Sequence, residues 1–189
     1  MTVEKTNFTV EEYLRIERQR GERHNYFNGK LEPMPGGSIA HNRISRNIIQ
    51  HLGNALDEKE GYEIFGSDQK IYIPKYNYYL YPDAVVIAAA PVMAENAAFG
   101  ITNPLLIIEV LSPSTGAYDR DEKFMLYREL ESFKEYVLIR QDTPEIVSMY
   151  RSQPSQWEET EVNGQEESVW FKSIDIRIPL ALIYRNVEL

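Results

Sequence analysis

The chain of 189 residues contains no cysteine, so it has neither a disulfide frame nor a thiolate metal site, which excludes zinc ribbons and thiol redox chemistry. Histidine is nearly as scarce, and the three present, His24, His41 and His51, do not fall at zinc-ligand spacings. No stretch approaches the roughly 20 apolar residues of a membrane span. The opening Met1-Thr2-Val3-Glu4-Lys5 lacks the apolar region of a secretory signal, so the expected location is the cytoplasm, with no membrane partner. Positive charge is also short: 20 Lys and Arg stand against 29 Asp and Glu, a net charge of −9. Proteins that hold nucleic acid through broad electrostatics carry a basic face. Any phosphate-bearing partner must therefore be handled locally, by a metal ion and a few placed cations such as Arg43, Arg46 and Lys123.

What is present reads as alternating α and β. Thr9-Val10-Glu11-Glu12 has capping-box spacing and predicts a helix that Gly21 ends. Asn28-Gly29 between Tyr26-Phe27 and Lys30-Leu31 is the strongest hairpin signal. Ser38 predicts the start of a helix running from Ile39 to about Glu58, with Ile44, Ile48, Leu52 and Leu56 at helical spacing and His41, Arg43 and Arg46 on its other face. One strand with a bulge near Gly66 is expected over Tyr62 to Ile73, a polar turn at Asn77 to Tyr79, and a turn of helix between Ala88 and Ile101. Asp119, spaced to Glu122 as in a capping box, predicts a further helix to about Leu130, and a β meander follows. With no repeat, low-complexity tract or linker, residues 1–189 are expected to form one α/β domain.

The chemistry lies in two apolar runs. Asp83 stands at the start of Tyr81-Pro82-Asp83-Ala84-Val85-Val86-Ile87, and Glu109 lies inside Pro104-Leu105-Leu106-Ile107-Ile108-Glu109-Val110-Leu111. Both runs read as strands of a sheet covered on both faces. A carboxylate there needs a counter-charge or loses its ionisation, and one bound divalent cation would satisfy both. The residues leave a second account open, in which Asp83 sits at a solvated sheet end and Glu109 pairs with Lys123 or Arg120.

Asn103 through Thr115, with Tyr118-Asp119-Arg120, Lys123-Phe124, Glu135-Tyr136-Val137-Leu138, the Tyr81-Pro82-Asp83 strand and the Arg23 to Gly29 hairpin, resembles the Uma-type restriction endonuclease family. The resemblance spans nearly the whole chain. It implies the PD-(D/E)XK nuclease fold, a mixed sheet flanked by helices, here with a C-terminal β meander. It further implies a Mg²⁺-dependent endonuclease acting on DNA, with Mn²⁺ as a substitute. Asp83 and Glu109 would be metal ligands, the Val110 carbonyl a third oxygen, and Asp83, Glu109 and Lys123 the catalytic set. His41 would contact phosphate or assist proton transfer, with Arg43 and Arg46 as further nucleic-acid contacts.

The chain departs from the pattern twice. The superfamily's Glu-x-Lys triplet would put lysine where Leu111 stands, and the resemblance implies Lys123, from the following helix, as its replacement; the residues alone also allow a solvated helix lysine there. Relatives commonly carry glutamate in the hairpin where this chain has Asn25, which offers only a neutral oxygen. A second function therefore stays open: a catalytically impaired nuclease fold that binds nucleic acid or protein. Because cleavage of both strands commonly uses paired sites, a homodimer is expected.

Overall fold

The computed structural model describes residues 7–34, 36–93, 100–112 and 116–189. Helix α1 (Val10–Arg20) opens on the capping box its spacing predicts: Glu12 N–H donates to Thr9 Oγ1 at 3.2 Å, and the Thr9 N–H donates to the Glu12 carboxylate at 3.0 Å. It ends at Gly21, whose φ of 66° is the left-handed cap that glycine adopts without strain. Strands β1 (His24–Phe27) and β2 (Lys30–Pro33) pair across Asn28-Gly29, both turn residues at positive φ. Ser38 Oγ then accepts the His41 N–H at 3.0 Å and starts α2 (Ile39–Leu56).

Tyr62 to Ile73 is not one bulged strand. It divides into β3 (Tyr62–Gly66) and β4 (Lys70–Ile73), which belong to different sheets. The Gln69 N–H donates to Gly66 O at 3.0 Å to close a turn, and Arg23 bonds Ser67 O at 2.8 Å and Asp68 at 3.0 Å from across the molecule. The polar turn also lies earlier than expected. Pro74–Tyr76 forms a 3-10 turn, begun by proline's fixed φ, and Tyr78 already belongs to β5 (Tyr78–Leu80).

Beyond it come β6 (Ala84–Ala88), β7 (Gly100–Ile101) and β8 (Pro104–Leu111). The helical turn expected between β6 and β7 falls largely on residues 94–99, outside the described residues. Three consecutive turns follow: α3 (Gly116–Tyr118), the π-helical Asp119–Lys123, and α4 (Phe124–Tyr127). Strands β9 (Glu135–Arg140), β10 (Glu145–Gln153) and β11 (Gln156–Asn163) make the meander, while β12 (Ser168–Phe171) and β13 (Ile176–Pro179) pair separately before α5 (Leu180–Ile183).

Six strands run in the order β11-β10-β9-β8-β6-β3 and five in the order β2-β1-β5-β4-β7. β8 and β9 are parallel while β6 and β8 are antiparallel, so the larger sheet is mixed. Strand alternation sends Leu106, Ile108 and Val110 to one face, where α2, β12, β13 and α5 cover them. Ile107 and Leu111 face the opposite way, into a second core with Ile71 and Leu80 of the smaller sheet and Tyr127 and Phe133 of the helical turns and the loop after them. A third cluster, Tyr13, Tyr26 and Tyr79, seats α1 on the smaller sheet.

Ile48, fully buried under the larger sheet, couples α2 to this frame. Ile48→Ala should lower unfolding free energy by about 2–5 kcal/mol with an unchanged denaturant slope, as measured by urea titration. A loss below about 1 kcal/mol would show that α2 does not close this core.

Candidate active site

Three elements meet at one end of the larger sheet. Because β6 and β8 are antiparallel, with Ala84 opposite Ile108, the beginning of β6 lies beside the end of β8. The Val110 N–H donates to Asp83 Oδ2 at 2.7 Å, which places the Asp83 carboxylate beside the Glu109-Val110 backbone. Glu109 shares its face with Ile107 and Leu111 and is only 3% exposed.

From the first core's side comes α2. Its His41 Nε2 is 3.2 Å from Asp83 Oδ2. The helix start is held by Ser38 Oγ, which donates to Gln141 Oε1 at 2.8 Å just beyond β9. Glycine is needed at 37: a Cβ there would stand 2.8 Å from His41 Nδ1, so any larger residue would displace the imidazole. Burial alone would lower the His41 pKa, but the hydrogen bond and negative charge of Asp83 outweigh it and hold it above the ordinary histidine range.

From the second core's side comes the π turn. Its wider winding, a feature common at functional sites, puts both Asp119 and Lys123 on the buried side. Lys123 Nζ lies 3.0 Å from Glu109 Oε1 and 2.9 Å from Asp119 Oδ1. Lys123 is 6% exposed, so it is not a solvated helix lysine. Asp119 likewise does not cap a helix: the chain is already helical at Gly116, and the Asp119 carboxylate is spent on Lys123. Tyr136 Oη donates to Asp119 O at 2.8 Å and Tyr127 Oη to Glu109 Oε1 at 3.4 Å, so two phenols pack against the ion pairs on their core side. Leu111 fills the second core beside this arrangement instead of supplying a cation.

Burial pushes the Glu109 carboxyl up to about 8; the Lys123 charge opposes this, and the negative Asp119 and Asp83 add to it. Lys123 is shifted upward despite its burial, because Glu109 and Asp119 both favour the ammonium. A second buried acid shows the contrast. Glu135 accepts from Ser148 Oγ at 2.9 Å, from the Lys172 N–H at 3.1 Å and from the Ser173 N–H and hydroxyl at 2.8 and 2.7 Å. It is a saturated structural carboxylate, whereas Glu109 is compensated by a cation.

Asp83, Glu109, Val110, Asp119, Lys123 and His41 all line one cleft of about 530 Å³. Asn25 lines it too, with its carbonyl oxygen accepting the Tyr81 N–H at 3.3 Å. Arg43 and Arg46 do not. They line a separate hollow with Asn186 and Glu188; Arg43 lies 3.4 Å from Glu188 and Arg46 2.8 Å from the Asn47 amide oxygen. At about 100° per residue, positions 43 and 46 lie roughly 200° and 140° round the helix from 41, so the three never shared a face. Asp119, Tyr127 and the cleft residue Arg23 were not among the expected site residues; for Asp119 the spacing to Lys123, i to i+4, was the signal available.

Two carboxylates and a carbonyl suit Mg²⁺, which takes one or two protein carboxylates and keeps several waters. Among the described residues no group of three or more His, Asp or Glu side chains is disposed to hold a metal. The donor set still fits, because buried Glu109, near the charges of Asp119 and Asp83, is placed where a cation relieves the cost of its ionisation.

Two acids, a third acid at Asp119 and a lysine thus converge at one sheet end of a mixed α/β fold. The comparisons agree at the level of fold. A solved structure described as a putative nuclease belonging to DUF820, from Anabaena variabilis, superposes with a TM-score of 0.73 over 94% of this chain and 97% of that one, at 15% identity. Residues 10–175 match the Uma2 family model, "Putative restriction endonuclease", and the chain belongs to that family. Two uncharacterized proteins of Synechocystis are similar throughout: sll1609 is 35% identical, covering 89% of this chain and 94% of that protein, and slr1290 is 36% identical, covering 94% and 91%.

Proton linkage in the metal-free protein gives a signed expectation. Folded Glu109 keeps its proton up to about pH 8 while the unfolded group, at 4.5, has released it, so stability falls as pH rises between the two values. The raised His41 acts in the same direction: its contribution is full below 6.5 and is lost as pH rises through its folded value. Thermal melts in chelator should therefore show Tm declining from about pH 5 to pH 8, with a shallower decline in Glu109→Gln. An identical slope in that variant would contradict the raised carboxyl.

Proposed function

We propose that this chain is a Mg²⁺-dependent endonuclease that hydrolyses phosphodiester bonds in DNA. The observation that carries the reading is the convergence of Asp83 and Glu109 at one sheet end, with His41 on the first and Lys123 on the second. Asp83, Glu109 and the Val110 carbonyl would hold the ion. When bound, a divalent ion offsets the two negative charges, acidifies water and neutralises charge on a phosphodiester oxygen.

The chain's own groups do the rest. Asp119 holds the Lys123 ammonium at the cleft, where it stabilises negative charge on the phosphoryl oxygens or orients the attacking water. His41, whose contact with Asp83 favours its protonated form, can deliver a proton to the leaving oxygen or donate to a phosphate. Water adds to phosphorus and releases a proton to solvent, one ester P–O bond breaks, and the leaving alkoxide takes up a proton from His41. One described site per chain cuts one strand, so double-strand cleavage calls for a homodimer.

Asn25 favours the alternative, a catalytically impaired nuclease fold that binds nucleic acid or protein: it brings no negative charge to the cleft, and its carbonyl oxygen is already used by Tyr81.

Metal titration of the wild type, Asp83→Ala, Glu109→Ala and Lys123→Met separates these readings. The wild type should show binding heat, a Tm that rises with Mg²⁺ or Mn²⁺, and metal-dependent cleavage of DNA. The two alanine variants should lose all three. Metal binding without turnover on any DNA form would favour the binding module, and no binding heat from a folded wild type would sink both the metal site and the endonuclease. Lys123→Met leaves the buried Asp119 carboxylate without its cation and removes the counter-charge Glu109 needs whenever it ionises, so metal-free stability should drop by about 3–5 kcal/mol. At saturating metal its turnover should still be lower by about 10²–10³; undiminished cleavage would remove Lys123 from the mechanism.

A further inference from the structure

The approach to Asp83 is irregular backbone: residues 81–83 precede β6 and belong to no strand. The direction of the Asp83 carboxylate therefore depends on whatever pins Tyr81, two residues earlier, with Pro82 fixing the turn between them. Tyr81 is buried and held at both ends. Its N–H donates to Asn25 Oδ1 at 3.3 Å, and its hydroxyl lies 3.0 and 2.9 Å from the two carboxylate oxygens of Glu17.

Glu17 is a junction. It is nine-tenths buried on α1, forms an ion pair with Lys70 at the start of β4, and accepts the His24 N–H of β1 at 2.9 Å. The Lys70 ammonium lies 4.8 Å from the Tyr13 ring centroid and 5.6 Å from that of Tyr81, so two aromatic faces help to hold it. One carboxylate thus ties α1, β1, β4 and the lead into β6. None of Glu17, Lys70 and Tyr13 lines the catalytic cleft, while Tyr81 lines both that cleft and the hollow around Glu17.

We propose that Glu17, Lys70 and Tyr81 form a positioning device that aims Asp83 at the metal, reaching the site through the backbone and touching neither ion nor substrate. This rests on the metal site proposed above. A hydrogen bond to a charged acceptor is among the stronger ones, and losing support of this kind typically weakens metal affinity about 10–100-fold.

Tyr81→Phe removes only the hydroxyl and leaves Glu17 paired with Lys70. The control is Tyr26→Phe, in the same aromatic cluster, whose hydroxyl donates to Phe8 O at 3.0 Å and bonds neither Glu17 nor Tyr81. Mg²⁺ and Mn²⁺ affinities of both variants and the wild type should be measured by calorimetry well below their melting temperatures, alongside thermal melts in chelator. The expected result is metal affinity about 10-fold or more weaker in Tyr81→Phe and unchanged in Tyr26→Phe. Under saturating metal, Tyr81→Phe should recover most of its turnover on DNA, as a weakened but intact site does. If Tyr81→Phe lowers Tm yet binds metal like the wild type, the cluster is purely structural and the inference falls alone. An equal loss of affinity in Tyr26→Phe also overturns it, since general loosening would then be the cause. A wild type that binds no metal overturns the metal site and this inference together.

Discussion

A carboxylate inside a fully covered strand is the constraint from which the rest of the site follows. Glu109 sits between core residues on β8, and leaving it ionised there without a partner would cost several kcal/mol. The answer is Lys123, which is itself buried and needs a second acid, Asp119, for its own balance. The π turn supplies both from its two ends, four residues apart, and Tyr127 and Tyr136 complete the polar contacts. Charge, helix type and aromatic packing are thus one solution to one local problem.

The site also joins two separately packed layers. His41 arrives on α2, which is fixed by the first core, and Lys123 arrives on a helix fixed by the second. Neither core alone assembles the cleft; the shared sheet end does. Side chains held on packed helices at a strand end have little freedom to drift, which is the preorganisation that catalysis through placed charges requires.

Local chemistry made much of this readable in advance. The capping box of α1, the Asn28-Gly29 hairpin, the Ser38 cap and the apolar run of β8 each depend on neighbours a few residues away, and each forms where its residues predict; the run expected as a strand from Tyr81 becomes β6 only at Ala84, past the turn at Pro82. What depends on distant partners was not readable. The turn that splits Tyr62 to Ile73 between two sheets is held by Arg23 from some 44 residues away, and nothing in the β-branched run itself marks a change of sheet. Asp119 resembled a cap because acid-to-acid spacing says nothing of a lysine one turn on and a buried glutamate beyond it. Arg43 and Arg46 are different: helical geometry alone separates them from His41.

The larger sheet ends on β11, an outer strand whose Glu158, Glu159 and Glu161 are all exposed. The outer edge of a strand of eight residues, paired on its other side with β10, is an open template for another chain. Two copies adding to each other there would bring their carboxylates into register and repel, so the acidity that speaks against broad nucleic-acid binding also guards this border against runaway sheet extension. Any self-association of this protein is thereby steered away from β11 and toward less acidic surfaces.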